Sequence, residues 1–125
     1  MESISHFNHL SEIVPLQIWT GVVGRAVSGN EASLVAVSLE PNADVPEHHH
    51  VNEQTGMLVS GGMTFRIGGE SRELTPGSTW VIPADVPHSV TAGPEGAFLI
   101  ELFAPPRADW ADLERLEPSP PAGLR

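Results

Sequence analysis

Short β-prone runs, each closed by glycine or proline, follow one another from Leu16 to Phe103, and this punctuation limits the fold more than any other feature. Leu16 to Val27 is β-prone and broken by Gly21 and Gly24, and Ser28-Gly29-Asn30-Glu31 turns it into an alternating run over residues 32–40. Two antiparallel strands are the simplest reading. Thr55–Ser60 ends at Gly61-Gly62 and Met63–Ile67 ends at Gly68-Gly69, pairs that suit hairpin turns because glycine reaches positive φ. Ser71–Leu74, Thr79–Ile82, His88–Ala92 and Ala97–Phe103 continue the series. So many short strands at this spacing predict an all-β sandwich or barrel. At 125 residues and 40% hydrophobic, the chain fits one domain with one core, with no second catalytic domain.

The two ends read differently. Residues 1–15 carry no clear period and stop at Pro15, as an arm or edge strand. Residues 16–106 are assigned to the barrel. Over residues 107–117, Trp110, Leu113 and Leu116 are three apart, which predicts a short helix laid against it. Pro118-Ser119-Pro120-Pro121 stops that helix, and residues 118–125 are expected as a loose tail.

There is no cysteine, so disulfides, thiolate metal sites and thiol nucleophiles drop out. The formal charge is −10, from sixteen acidic residues against six arginines and no lysine, which disfavours nucleic acid and anionic lipid surfaces as partners. An anionic small molecule needs a locally positive pocket, so each arginine is worth locating. The start, MESISHFNHLSEI, lacks a basic segment followed by an apolar one, and no run approaches the roughly 20 apolar residues of a membrane span. A cytoplasmic protein is expected.

Chemistry concentrates in Pro46-Glu47-His48-His49-His50-Val51-Asn52-Glu53-Gln54. On an extended strand His48 and His50 point the same way and His49 points away, a two-tooth chelate. Gln54 becomes reachable if Val51 and Asn52 turn the chain, and Glu53 beside it is the better ligand by chemistry alone. A further ligand must come from elsewhere. His6 and His9 form an HxxH pair with no third ligand nearby and read as surface histidines.

Gly77-Ser78-Thr79-Trp80-Val81-Ile82-Pro83-Ala84-Asp85-Val86-Pro87-His88 supplies the partner stretch. Together, His48-x-His50-x3-Gln54-x6-Gly61 and Gly77-x5-Pro83-x-Asp85-x-x-His88 resemble the paired motifs of the cupins. Gln54 stands where many cupins have Glu, and Asp85 where many have Gly, a turn position Asp tolerates. The resemblance implies a double-stranded β-helix, a jelly-roll barrel, holding one divalent metal ion on His48, His50, Gln54 and His88. It places Gln54, one residue from Glu53, at the ligand position. Three imidazoles and an amide would leave the ion's double charge uncancelled, favouring an anionic ligand and Lewis-acid chemistry, and would accept Zn, Ni, Fe, Mn or Co.

A carboxylate inside the apolar run AFLIELF is costly unless paired or functional, and unpaired its pKa rises toward the range useful for proton transfer. Glu101 and Phe103 share a face with Leu99. The stretch Glu101-Leu102-Phe103-Ala104-Pro105-Pro106-Arg107 resembles the D-x-F-x-P-x-R segment of KdgF-type cupins, which open 4,5-unsaturated uronic acids. That resemblance implies catalytic Glu101 and Arg107 and substrate-binding Phe103 and Arg107. The bland alternative is a structural ion pair between Glu101 and Arg107, with Phe103 in the core. Arg66 reads as solvent-facing or as a second anion contact, and Trp19, Trp80 and Met57 as packing or dimer-interface residues.

The resulting expectation is a metal-dependent, isomerase- or lyase-type enzyme moving protons without redox chemistry on a small, anionic, carboxylated or enolic substrate. A cupin dioxygenase or polyketide-cyclase-like enzyme, and a non-catalytic binding module, are the competing readings. Small cupins commonly pair through their outer sheet, so a homodimer is expected.

Overall fold

A computed structural model of the protein describes residues 5–123, so positions 1–4 of the expected arm and 124–125 of the expected tail lie outside the described residues. The strands are β1 (Leu16–Trp19), β2 (Val22–Ser28), β3 (Ser33–Leu39), β4 (Asp44–His48), β5 (Glu53–Ile67), β6 (Glu70–Leu74), β7 (Thr79–Ile82), β8 (His88–Ala104) and β9 (Glu114–Arg115). Every pairing among them is antiparallel.

Two long strands organise the rest. The first half of β5 pairs with β7 and the second half with β6, while β8 runs beside β5 along its length. The late half of β8 continues through β3, β2, β1 and β9, and its early half pairs with β4. One side of the barrel is therefore β7-β5-β8-β3-β2-β1-β9 and the other β6-β5-β8-β4. This is the jelly roll expected from the sequence.

Gly61-Gly62 is not a hairpin turn. β5 passes straight through it as one 15-residue strand, with the register shifting between Leu58 and Ser60 and again between Gly61 and Met63. Gly61 has φ +81°, and a Cβ there would stand 2.1 Å from the carbonyl oxygen of Gly96, so glycine serves a bulge and a close strand approach. The runs read separately as His88–Ala92 and Ala97–Phe103 likewise form the single strand β8. Gly68-Gly69 is the tight hairpin its composition predicts, with Ile67 opposite Glu70.

Inward side chains from both sides fill the interior, among them Val35, Leu58 and Ile82 at 0% exposure. Each such side chain contributes roughly 1.5–3 kcal/mol by leaving water. The helix expected over residues 107–117 is instead a 3-10 turn, Ala108–Asp112, followed by β9 against β1. Trp110 alone is buried in that turn; backbone pairing to β1 claims Glu114 and Arg115 before a second helical turn can form.

Residues 118–123, expected to be loose, are tied to the outer face of the barrel. Arg25 donates to the Ser119 carbonyl at 3.1 Å, Ser38 donates to the Ala122 carbonyl at 3.1 Å, and Pro121 is buried. Residues 5–15 form an irregular arm containing a 3-10 turn, Leu10–Glu12, capped by His9. Among the described residues no helix is long and apolar enough to cross a membrane.

Candidate metal centre and active site

Strand pairing joins histidines forty positions apart in the chain, because β4 meets β8 with His48 directly opposite His88. His50 follows in the loop between β4 and β5, where the Asp85 N–H donates to its carbonyl at 2.7 Å. One ring nitrogen from each of His48, His50 and His88 lies within 4.8 Å of the other two. His49 is outside this group, exposed and 3.6 Å from Asp85.

Each of the three rings engages a backbone carbonyl through Nδ1: His48 with Pro46 at 2.7 Å, His50 with Asn52 at 3.0 Å and His88 with Val86 at 2.9 Å. That contact favours the tautomer with the proton on Nδ1 and turns the Nε2 lone pair toward the centre. Burial lowers the pKa of all three, His88 to about 4, so they are neutral and ligand-competent near neutral pH. His88 Nε2 is buried without a hydrogen-bond partner among the described residues, as expected of a nitrogen reserved for a metal. Three neutral imidazoles and a neutral amide fit a divalent transition metal or zinc.

Gln54 is buried in β5, whereas Glu53 is exposed on the opposite face. Gln54 Oε1 sits 3.0 Å from His50 Nε2, and its amide donates to Glu101. This arrangement explains the amide physically, since glutamate here would press one carboxylate against another.

Leu99, Glu101 and Phe103 all face the interior from β8 and line one cavity with His48, Gln54, His88 and Arg107. Desolvation raises the Glu101 pKa to about 7, against hydrogen bonds from Gln54 and Trp80 and the Arg107 charge, which favour ionisation. Arg107 does not form an ion pair with Glu101. Its Nε and an Nη atom donate to Asp109 at 2.9 and 2.8 Å, and the guanidinium lies 4.9 Å from the Phe103 ring centroid and 4.5 Å from that of Trp110. The ion pair considered at the level of sequence is thereby replaced by a different one at the cavity mouth. Arg66 is exposed on the outer face near Ser89 and Thr91, away from the cavity.

A Cupin domain model matches residues 35–103, more than half of the chain. The protein belongs to the cupin family. The cupin is 32% identical over 65 residues to pectin degradation protein KdgF of Dickeya dadantii (strain 3937), covering 52% of this chain and 59% of that protein. KdgF from Halomonas sp. superposes with a TM-score of 0.77 at 26% identity, covering 85% of this chain and 98% of that one. An RmlC-like cupin from Shewanella frigidimarina NCIMB 400 gives 0.79 at 25% identity, over 89% and 100%. The chain spans about three-fifths of the length of the curated relative, and it is KdgF-like in sequence and fold.

The position where many cupins carry Gly is occupied by Asp85 at φ +62°, a left-handed conformation that Asp and Asn adopt more readily than most residues. Three side chains in this cupin site escape a reading of the sequence alone. Asn52 is buried and donates to the Pro105 carbonyl at 2.6 Å, joining the His50 loop to the segment that carries Arg107. Asp109 holds Arg107, and Trp80 donates to Glu101 at 3.1 Å. Only Trp80 left a signal: it lies two residues before Ile82, on the same inward face.

Proposed function

We propose that this cupin is a metal-dependent enzyme that opens the ring of a small 4,5-unsaturated uronate by moving a proton, without redox chemistry. The observation that carries the reading is a buried carboxyl of pKa about 7, Glu101, sharing a cavity with His48 and His88 of the three-histidine cluster. The similarity to two KdgF proteins, one of them described as a pectin degradation protein, supports the substrate class.

His48, His50, His88 and Gln54 would hold the ion, which when bound supplies a Lewis-acid charge for developing negative charge on a substrate oxygen. Arg107, braced by Phe103 and Trp110, offers its remaining N–H groups to the substrate carboxylate at the mouth. Phe103 walls the same end. Glu101 accepts the hemiacetal hydroxyl proton as the C1–O5 bond breaks to leave an aldehyde and an enolate, and a proton returned to C4 makes the ketone. No water or oxidant is consumed. A carboxyl with pKa near neutrality can both take and give that proton.

Incubation with an unsaturated uronate, following the loss of its ultraviolet absorbance, tests the reading. Metal-dependent loss is expected, and no loss with metal restored overturns it. Oxygen consumption in step with substrate would substitute a dioxygenase.

A further inference from the structure

Trp80, Gly56 and Glu101 form a row across β7, β5 and β8, with Gly56 directly opposite both neighbours. Cross-strand partners share a face, so all three positions address the interior. The indole lies over the Gly56 backbone. A Cβ at residue 56 would stand 2.5 Å from Trp80 Cζ2 and 2.7 Å from its Nε1, distances that real side chains do not tolerate. Phe65 packs against the indole with ring centroids 5.1 Å apart.

Through the space the missing side chain leaves, Trp80 Nε1–H donates to Oε2 of Glu101 at 3.1 Å. Gln54 Nε2–H donates to that same oxygen. Oε1 accepts no hydrogen bond from a described residue, although Glu101 lines the cavity. The two carboxyl oxygens are thus unequal: one is anchored twice, and the other is unengaged.

We propose that Trp80, seated on Gly56, is a positioning residue that anchors Oε2 and turns Oε1 toward substrate as the atom that carries the proton. This rests on Glu101 being the proton carrier. Two donors converging on one oxygen resist rotation of the carboxyl, so Oε1 keeps one direction through the cycle. Gly56 is then required for catalysis without touching substrate.

The indole N–H provides a readout independent of turnover. The chain has three tryptophans, so a ¹⁵N-labelled sample shows three indole resonances, and the one lost in Trp80→Phe is that of Trp80. We expect it downfield and slow to exchange with solvent, shifting upfield in Glu101→Gln, because an amide oxygen is a weaker acceptor than a carboxylate. Gly56→Ala should shift it and speed its exchange. In Trp80→Phe and Gly56→Ala, kcat on the unsaturated uronate should fall about tenfold or more with KM within about twofold.

An indole resonance unmoved in both Glu101→Gln and Gly56→Ala overturns the proposal, as does full kcat in Trp80→Phe. If the wild-type protein leaves the sugar untouched, the proposed reaction falls. The indole resonance then decides alone whether Trp80 orients Glu101.

Discussion

Glu101 carries a pKa raised from 4.5 to about 7 by desolvation, so between those values the folded protein keeps a proton that the unfolded chain releases. Its contribution to stability therefore falls as pH rises through that window, by on the order of 3 kcal/mol. His88 runs the other way. Its pKa is lowered from 6.5 to about 4, so the unfolded chain binds a proton that the folded one refuses, and stability is lost as pH falls from 6.5 toward 4. For metal-free protein the two effects oppose each other over nearly the same window, so we predict that Glu101→Gln makes the melting temperature rise more steeply between pH 4.5 and 7 than it does in wild type. A variant whose slope over that window matches wild type would show that Glu101 does not titrate there. The same substitution should reduce kcat by roughly 10²- to 10⁴-fold, the ordinary range for loss of a general acid–base. Metal binding is checked separately: at 100 times Kd it adds about 2.7 kcal/mol, so chelation should lower the wild-type melting temperature by several degrees. Chelation should leave the melting temperature of His50→Ala, which lacks one nitrogen of the three-histidine cluster, nearly unchanged.

The elements do their work through long strands interrupted by bulges. β5 serves both sides of the barrel only because Gly61 lets it shift register while lying against Gly96. Gly61→Ala therefore meets both a left-handed φ and a 2.1 Å clash, and we predict a loss of about 2 kcal/mol or more, read as a melting-temperature fall of roughly 8 °C. A fall under one degree would show that the strand can relax. In the sequence, Gly61-Gly62 looks the same as the Gly68-Gly69 hairpin beside it. What separates them is the partner strand: β8 pairs with β5 on both sides of the first pair through a shift of register, whereas β6 folds straight back after the second. The short terminal helix failed for a similar reason, since β1 was available to pair with Glu114 and Arg115.

Over the whole molecule, a net charge of −10 opposes self-association except where carboxylates are missing. Among the described residues, a strip of the outer face bordered by Glu53 meets that condition. Val27, Leu34, Leu102, Thr55 and Val81 stand in a row across five strands, and Ala36, Ile100, Met57 and Thr79 form the next row. Val27, Leu34, Met57, Val81 and Leu102 are all exposed, and neither row contains an acidic residue. We propose this face for the expected homodimer, with Leu102→Glu reducing the sedimentation coefficient to the monomer value while preserving the circular dichroism spectrum. A wild-type protein that sediments as a monomer at micromolar concentration would remove the dimer.

Residue pattern alone was enough for the all-β class, the inward side of the last strand and the paired direction of His48 and His50, while His88 was added by a family motif. The first three properties follow from alternation and local spacing, which act over two to four residues. The choice of Gln54 over Glu53 also needed a family motif, because loop geometry obeys no simple period. Tertiary structure alone decided that Arg107 pairs with Asp109, that Asn52 ties two loops together and that Trp80 reaches Glu101 across Gly56. These contacts join residues whose side-chain directions depend on bulges and loop paths. Their signal lies in which strand sits beside which, and no short window of sequence contains it.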